Sequence, residues 1–217
     1  MIGNLKPMIF VILFALLEVS VIGQKMEISR EKFDEVKASA DRFLQTSPYR
    51  VRSLYETLSE KDSKPEKTTM SITEHVNSDR EHNFYGLSST DPNDKYERIR
   101  IGSRIFTNKS GEWTEISTSS LGFGLSAAGE TKYWVIGSEK LGSADATVYE
   151  LVTSHRFWIG KDEKQSFYHQ RYWIGKDGRL LKTVGESDGV GTVGNKRMRT
   201  TEIYEYDPKI SIEIPIK

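Results

Sequence analysis

The chain has 217 residues, with 31 basic and 31 acidic side chains that cancel formally. That balance lacks the basic excess on which nucleic-acid binding draws, and a hydrophobic content of 36% with 11% aromatics argues against wholesale disorder. There is no cysteine, which excludes disulfides and acylation at a lipoprotein-type cysteine.

Lys6, the apolar run 8–17 and Val21-Ile22-Gly23 before Gln24 read as a signal peptide over 1–23. Glu18 interrupts the run, which falls short of the roughly 20 apolar residues that span a bilayer, so a membrane anchor is the weaker reading. Cleavage leaves 24–217 as a single mature domain, periplasmic or secreted. Asn108-Lys109-Ser110 matches a glycosylation acceptor, a chance match in a bacterial envelope.

Residues 28–45 predict a helix. Ser29 is its cap, Phe33, Val36, Ala40, Phe43 and Leu44 share one face, and Ser47-Pro48 ends it. Alternation over 49–57 puts Tyr49, Val51, Ser53 and Tyr55 on one side of a strand. Strands are predicted next at 68–76, 80–87, 96–101, 104–107 and 112–116, separated by Gly, Asn, Asp and Pro signals. Residues 117–129 are rich in Ser, Gly and Ala around Leu121, Phe123 and Leu125, a poor plain connector and a candidate lid or short helix packed against the sheet. Further strands are predicted at 132–136, 147–159, 166–174, 179–186 and 196–206. The last segment, 210–216, reads as extended with Ile210, Ile212, Ile214 and Ile216 on one side. The fold class is mainly β with an N-terminal helix (α+β), in largely local, meander order. A strongly curved antiparallel sheet with helix and lid on its concave face would bury one side.

The pentapeptide Trp-Ile-Gly-Lys-Asp occurs at 158–162 and 173–177, and Asp177-Gly178 is a strong hairpin signal. If the preceding hairpin turns symmetrically about Asp162, His155 and His169 face each other. Leu151, Phe157, Phe167 and Trp173 then share one face, and Val152, Trp158, Tyr168 and Tyr172 the other. Two histidines are too few for a zinc site, so no metal is expected. Gly189-x-Gly191-x-x-Gly194 has dinucleotide-binding spacing, but residues 196–199 read as a strand, without the helix N-terminus a pyrophosphate needs. There is no nucleophile elbow and nothing selects a carboxylate pair. No catalytic residue and no cofactor is therefore assigned.

Several segments, in order, carry a resemblance. They are Tyr96-Glu97-Arg98-Ile99-Arg100-Ile101-Gly102, Gly111-Glu112-Trp113, Leu141-Gly142, Tyr149-Glu150-Leu151, the stretch 171–178, Tyr204-Glu205-Tyr206 and Ile212-Glu213-Ile214-Pro215. Together they resemble the LolA-like superfamily of periplasmic outer-membrane lipoprotein-sorting proteins and their lipid-binding lipoprotein relatives. The resemblance implies an unclosed half-barrel with a hydrophobic cavity for acyl chains, and it carries no individual functional residue across.

The expected role is a non-enzymatic, monomeric carrier of a lipid or an acylated lipoprotein, with transient contacts to envelope membrane proteins. Leu121, Phe123, Leu125, Trp134 and Trp173 are the expected cavity or lid residues. A sensor or scaffold that binds a protein through the same fold is the alternative, and an envelope hydrolase a more distant one.

Overall fold

The computed structural model describes residues 25–59, 63–87, 95–109, 111–116, 129–159, 161–190 and 196–215. These form one helix, α1 (Arg30–Thr46), and twelve strands. The first is β1 (Met26–Ile28). Six come after the helix: β2 (Tyr49–Leu58), β3 (Pro65–Asn77), β4 (Arg80–Tyr85), β5 (Tyr96–Ile101), β6 (Arg104–Lys109) and β7 (Glu112–Ile116). The last five are β8 (Gly129–Leu141), β9 (Ala144–Ile159), β10 (Asp162–Gly175), β11 (Leu180–Ser187) and β12 (Arg197–Tyr206). They make a single sheet in the order β1-β8-β9-β10-β11-β12-β2-β3-β4-β5-β6-β7, every pair antiparallel.

The order is two meanders, β2–β7 and β8–β12, joined by the non-local pair β12–β2, which purely local order does not anticipate. Connectivity makes the sheet curve. β7 and β8 are consecutive in sequence but lie ten inter-strand steps apart, roughly 48 Å in a flat sheet at about 4.8 Å per step. The chain from Ile116 to Gly129 reaches at most roughly 43–47 Å even when fully extended. The sheet must bring its two ends toward each other, and it remains an open half-barrel with β1 and β7 as edges.

The helix forms where the apolar spacing predicts. Ser29 Oγ accepts from the Lys32 N–H at 3.2 Å, and the Ser47 N–H closes the other end on the Phe43 carbonyl at 2.9 Å, directly before Pro48. Arg30–Asp34 and Lys37–Asp41 pair along the solvent side. The inner side buries Phe33 and Ala40, with Val36 and Leu44 half-buried. Phe33 meets the rings of Tyr133, Tyr172 and Tyr149 at 5.2, 5.5 and 6.3 Å. These contacts define the helix face. The other face carries two cores: Ala146, Val148 and Trp173, and, at the far end, Ile99 and Phe106.

The Asp177-Gly178 signal is a tight turn between β10 and β11. Asp177 Oδ1 accepts from the Arg179 N–H at 3.0 Å, and the Gly178 N–H donates to Gly175 O at 2.9 Å. Gly178 has φ 87°, and a Cβ there would meet Ser39 Oγ of α1 at 2.5 Å, so only glycine lets this turn seat against the helix.

One expectation is corrected, and two features add to the reading. The β9–β10 register pairs Asp162 with Ile159, His155 with Ser166 and His169 with Val152. This is an odd shift from a turn centred on Asp162, and an odd shift moves one strand's set to the other face. Leu151 therefore shares the helix face with Tyr168 and Tyr172, Val152 lies with Phe167 and Trp173, and the two histidines occupy opposite faces. The 210–215 segment joins no strand. Ile212 packs on Ile99 and Phe106 away from the helix, held by Arg80 Nη1 donating to its carbonyl at 3.1 Å, while Ile214 is 43% exposed. β1, which pairs with β8, has no counterpart in the sequence reading.

Candidate functional site

α1 covers only part of its face. Its N-terminal half seals β8–β11, and its last turn reaches β2 and β3 at Leu44, beside two adjoining hollows of about 270 and 280 Å³. The strand register lays out this part of the helix face, which the first hollow overlies, in rows. Glu202, Ser53 and Ser71 form one row; Tyr204, Val51, Thr73, Asn83 and Arg98 the next; Tyr206, Tyr49, His75, Glu81 and Arg100 the third.

Ser53, Ser71 and Asn83 are buried although polar, which requires partners or space for a ligand. Asn83 has partners: the Thr73 hydroxyl donates to its Oδ1, and its Nδ2 donates to Glu81. Glu81 also accepts from Arg98 at 3.0 Å and from Arg100 at 3.4 Å. Burial alone would raise its carboxyl, but the Arg98 hydrogen bond and the surrounding positive charges outweigh this and leave it below the usual range. Arg98 keeps its Nε buried and without a partner among the described residues, and its guanidinium lies 5.7 Å from the Tyr85 ring centre. Glu202 accepts from Thr183 and Tyr204 at 2.9 and 2.8 Å.

Aromatic walls surround this polar floor. Tyr49 stacks on His75 at 4.5 Å and Tyr85 on Tyr96 at 4.4 Å. Burial pushes the Tyr49 phenol up to about 12 and draws His75 below its ordinary value, so both rings are neutral at pH 7. On the same face Tyr55, Tyr96, Ile116, Tyr168 and Met198 are exposed. A polar floor with ring walls, on a face that also exposes apolar side chains, suits a molecule with a polar end and an apolar remainder. The lining is more polar than the hydrophobic cavity that the sequence resemblance implies.

Trp134 and Trp173 do not line these hollows. Trp173 is buried on the opposite face with Ala146 and Val148, its indole N–H donating to Glu139 at 2.6 Å. Trp134 lies on that face too, under Lys25 Nζ at 4.0 Å, while Lys25 and Arg171 bind the buried Glu150 at 2.5 and 2.9 Å. Leu121, Phe123 and Leu125 lie outside the described residues. Among the described residues no cluster of three or more His, Asp or Glu could hold a metal ion, and His155 Nδ1 is buried without a hydrogen-bond partner.

Sequence reading missed Ser53, Ser71, Asn83 and Arg98. Alternation placed Ser53 beside Tyr49, Val51 and Tyr55, and a small hydroxyl recurring among large rings was the available signal.

No family model and no curated protein matches the sequence. The chain is similar to LprF from Mycobacterium bovis (9% identity, covering 88% of this chain and all of that one, TM-score 0.49). It is also similar to the lipoprotein LppX from Mycobacterium tuberculosis (9%, 85% and all, 0.47). A LolA superfamily protein from Nitrosomonas europaea is a further one (12%, 79% and 90%, 0.36). The last bears the superfamily name that the motifs resemble, and likeness this distant carries neither residue nor role to this chain.

Proposed function

We propose that the protein is a non-enzymatic envelope carrier for an amphiphile, either a free lipid or the acylated end of a lipoprotein. The observation that supports this reading is the part of the helix face that α1 leaves free among the described residues, where the exposed Tyr55 lines a polar hollow and the exposed Tyr96 borders it through its stack on Tyr85. The polar end of the ligand lies on the Ser53–Ser71–Asn83 floor, and its chain runs along these exposed rings. Each methylene removed from water contributes roughly 0.8 kcal/mol, so one chain gives useful affinity. The leader-like 1–23 segment supports an envelope location. The opposite face favours no protein-scaffold reading: its middle is tiled by Arg50–Glu74, Arg52–Glu205 and Arg199–Glu186 ion pairs, and its end is covered by Ile212.

Protein purified from a native envelope should carry co-extracted lipid by mass spectrometry and should take up a fluorescent fatty acid. Repeated recovery of lipid-free protein that also fails to take up the probe would end this reading.

A further inference from the structure

The two hollows share three lining residues, Leu44, Tyr49 and His75. Tyr49 and His75 are direct cross-strand partners, and their rings lie nearly parallel, 16° apart and 4.5 Å between centres. We propose that this stacked pair is a wall that limits how large a polar end the ligand can have. The proposal rests on the amphiphile-carrier reading and adds to it a residue that sets specificity.

Three observations support it. First, Tyr49 is held in place: it is 9% exposed and also touches Tyr204 and Tyr206, with ring centres 6.1 and 6.0 Å away. His75, half-buried on the neighbouring strand, is the thinner side of the wall. Second, each hollow alone is small for a ligand site, which usually begins near roughly 300 Å³, whereas the two together fall well within that range. Third, the chamber behind the wall is polar, with Asp41, Gln45, Asn77, Ser78 and Arg100 around it. Opening the wall therefore makes room for polar groups and offers little to a longer acyl chain. The intact protein accepts a compact polar end such as a carboxylate and turns away a bulky one.

The test uses laurate, dodecylphosphocholine and dodecyl maltoside, probes with tails of like length and polar ends of rising size, titrated below their micellar concentrations. The wild-type protein should prefer laurate. His75→Ala should raise affinity for dodecyl maltoside relative to laurate by about tenfold or more, equivalent to about 1.4 kcal/mol. His75→Phe restores a ring against Tyr49 and should return the wild-type ranking, which a loss of folding in His75→Ala could not mimic. Adding Gln45→Trp to His75→Ala fills the second chamber and should cancel the gain. A wild-type protein that binds none of the probes overturns the carrier reading itself. Binding with the same ranking in wild type, His75→Ala and the double variant overturns the wall alone.

Discussion

On the helix face, β8–β11 present Tyr133, Tyr149, Leu151, Tyr172 and Ile174 to Phe33 and Ala40, whereas β2–β5 present Ser53, Ser71, Thr73, Asn83 and Arg98 to a hollow. Both regions are four-stranded antiparallel meanders in one sheet. They differ in the size and polarity of these inward residues. Large rings draw the helix down and exclude water; small hydroxyls and an amide leave room and need hydrogen bonds of their own. One helix can thus seal one half of a curved sheet and, among the described residues, leave a hollow over the other half, without any change of fold.

The strongest way to break this contrast is to remove the plug. Phe33→Ala should cost about 3–5 kcal/mol, read as a lower urea midpoint. A loss below about 1 kcal/mol would show that the helix does not seal the β8–β11 half.

A smaller effect is expected on the reverse side of that half. Arg171→Ala leaves Glu150 with Lys25 alone and should cost about 1–2 kcal/mol, because both cations are half exposed and screened. Burial by itself would raise the Glu150 carboxyl, but the Lys25 and Arg171 hydrogen bonds outweigh it and leave the group below its ordinary value. Its contribution is therefore full above the usual glutamate range, about 4.3, and disappears as pH falls through the lower folded value. Arg171→Ala should flatten that acid limb in thermal melts across pH; an unchanged limb would remove Glu150 from the account.

The smallest effect on stability belongs to the open half. Replacing the facing pair Ser53 and Ser71 together by alanine should shift stability by less than about 1 kcal/mol, measured by the same denaturation. Fluorescent fatty-acid uptake should nevertheless change, because the floor of the hollow loses its hydroxyls. A large loss of stability with unchanged uptake would mark the floor as ordinary core.

The helix, its Ser29 cap and its Pro48 stop were legible because each is a local rule, and most strands were legible by alternation between turn residues. Two features were not. The face assigned to each side chain in β9 and β10 depended on where the hairpin turned, and an odd shift reversed it. The tail from Ile210 reads as extended from its alternating isoleucines, but alternation does not reveal whether a neighbouring backbone is available to pair. The hollow was hidden for a related reason. Tyr49, Ser53, Ser71, Asn83 and Arg98 come from four strands, and only the assembled register brings them side by side.

The β12–β2 pairing also has a kinetic side. Tyr49 meets Tyr206 and Leu58 meets Arg197, so the first long strand waits for the last one before the two meanders become one sheet. Closure of so long a loop is slow, and topologies dominated by distant pairings fold late. Deleting that strand would also uncover two edges at once, on β11 and on β2, each with a row of unpaired backbone groups open to self-association.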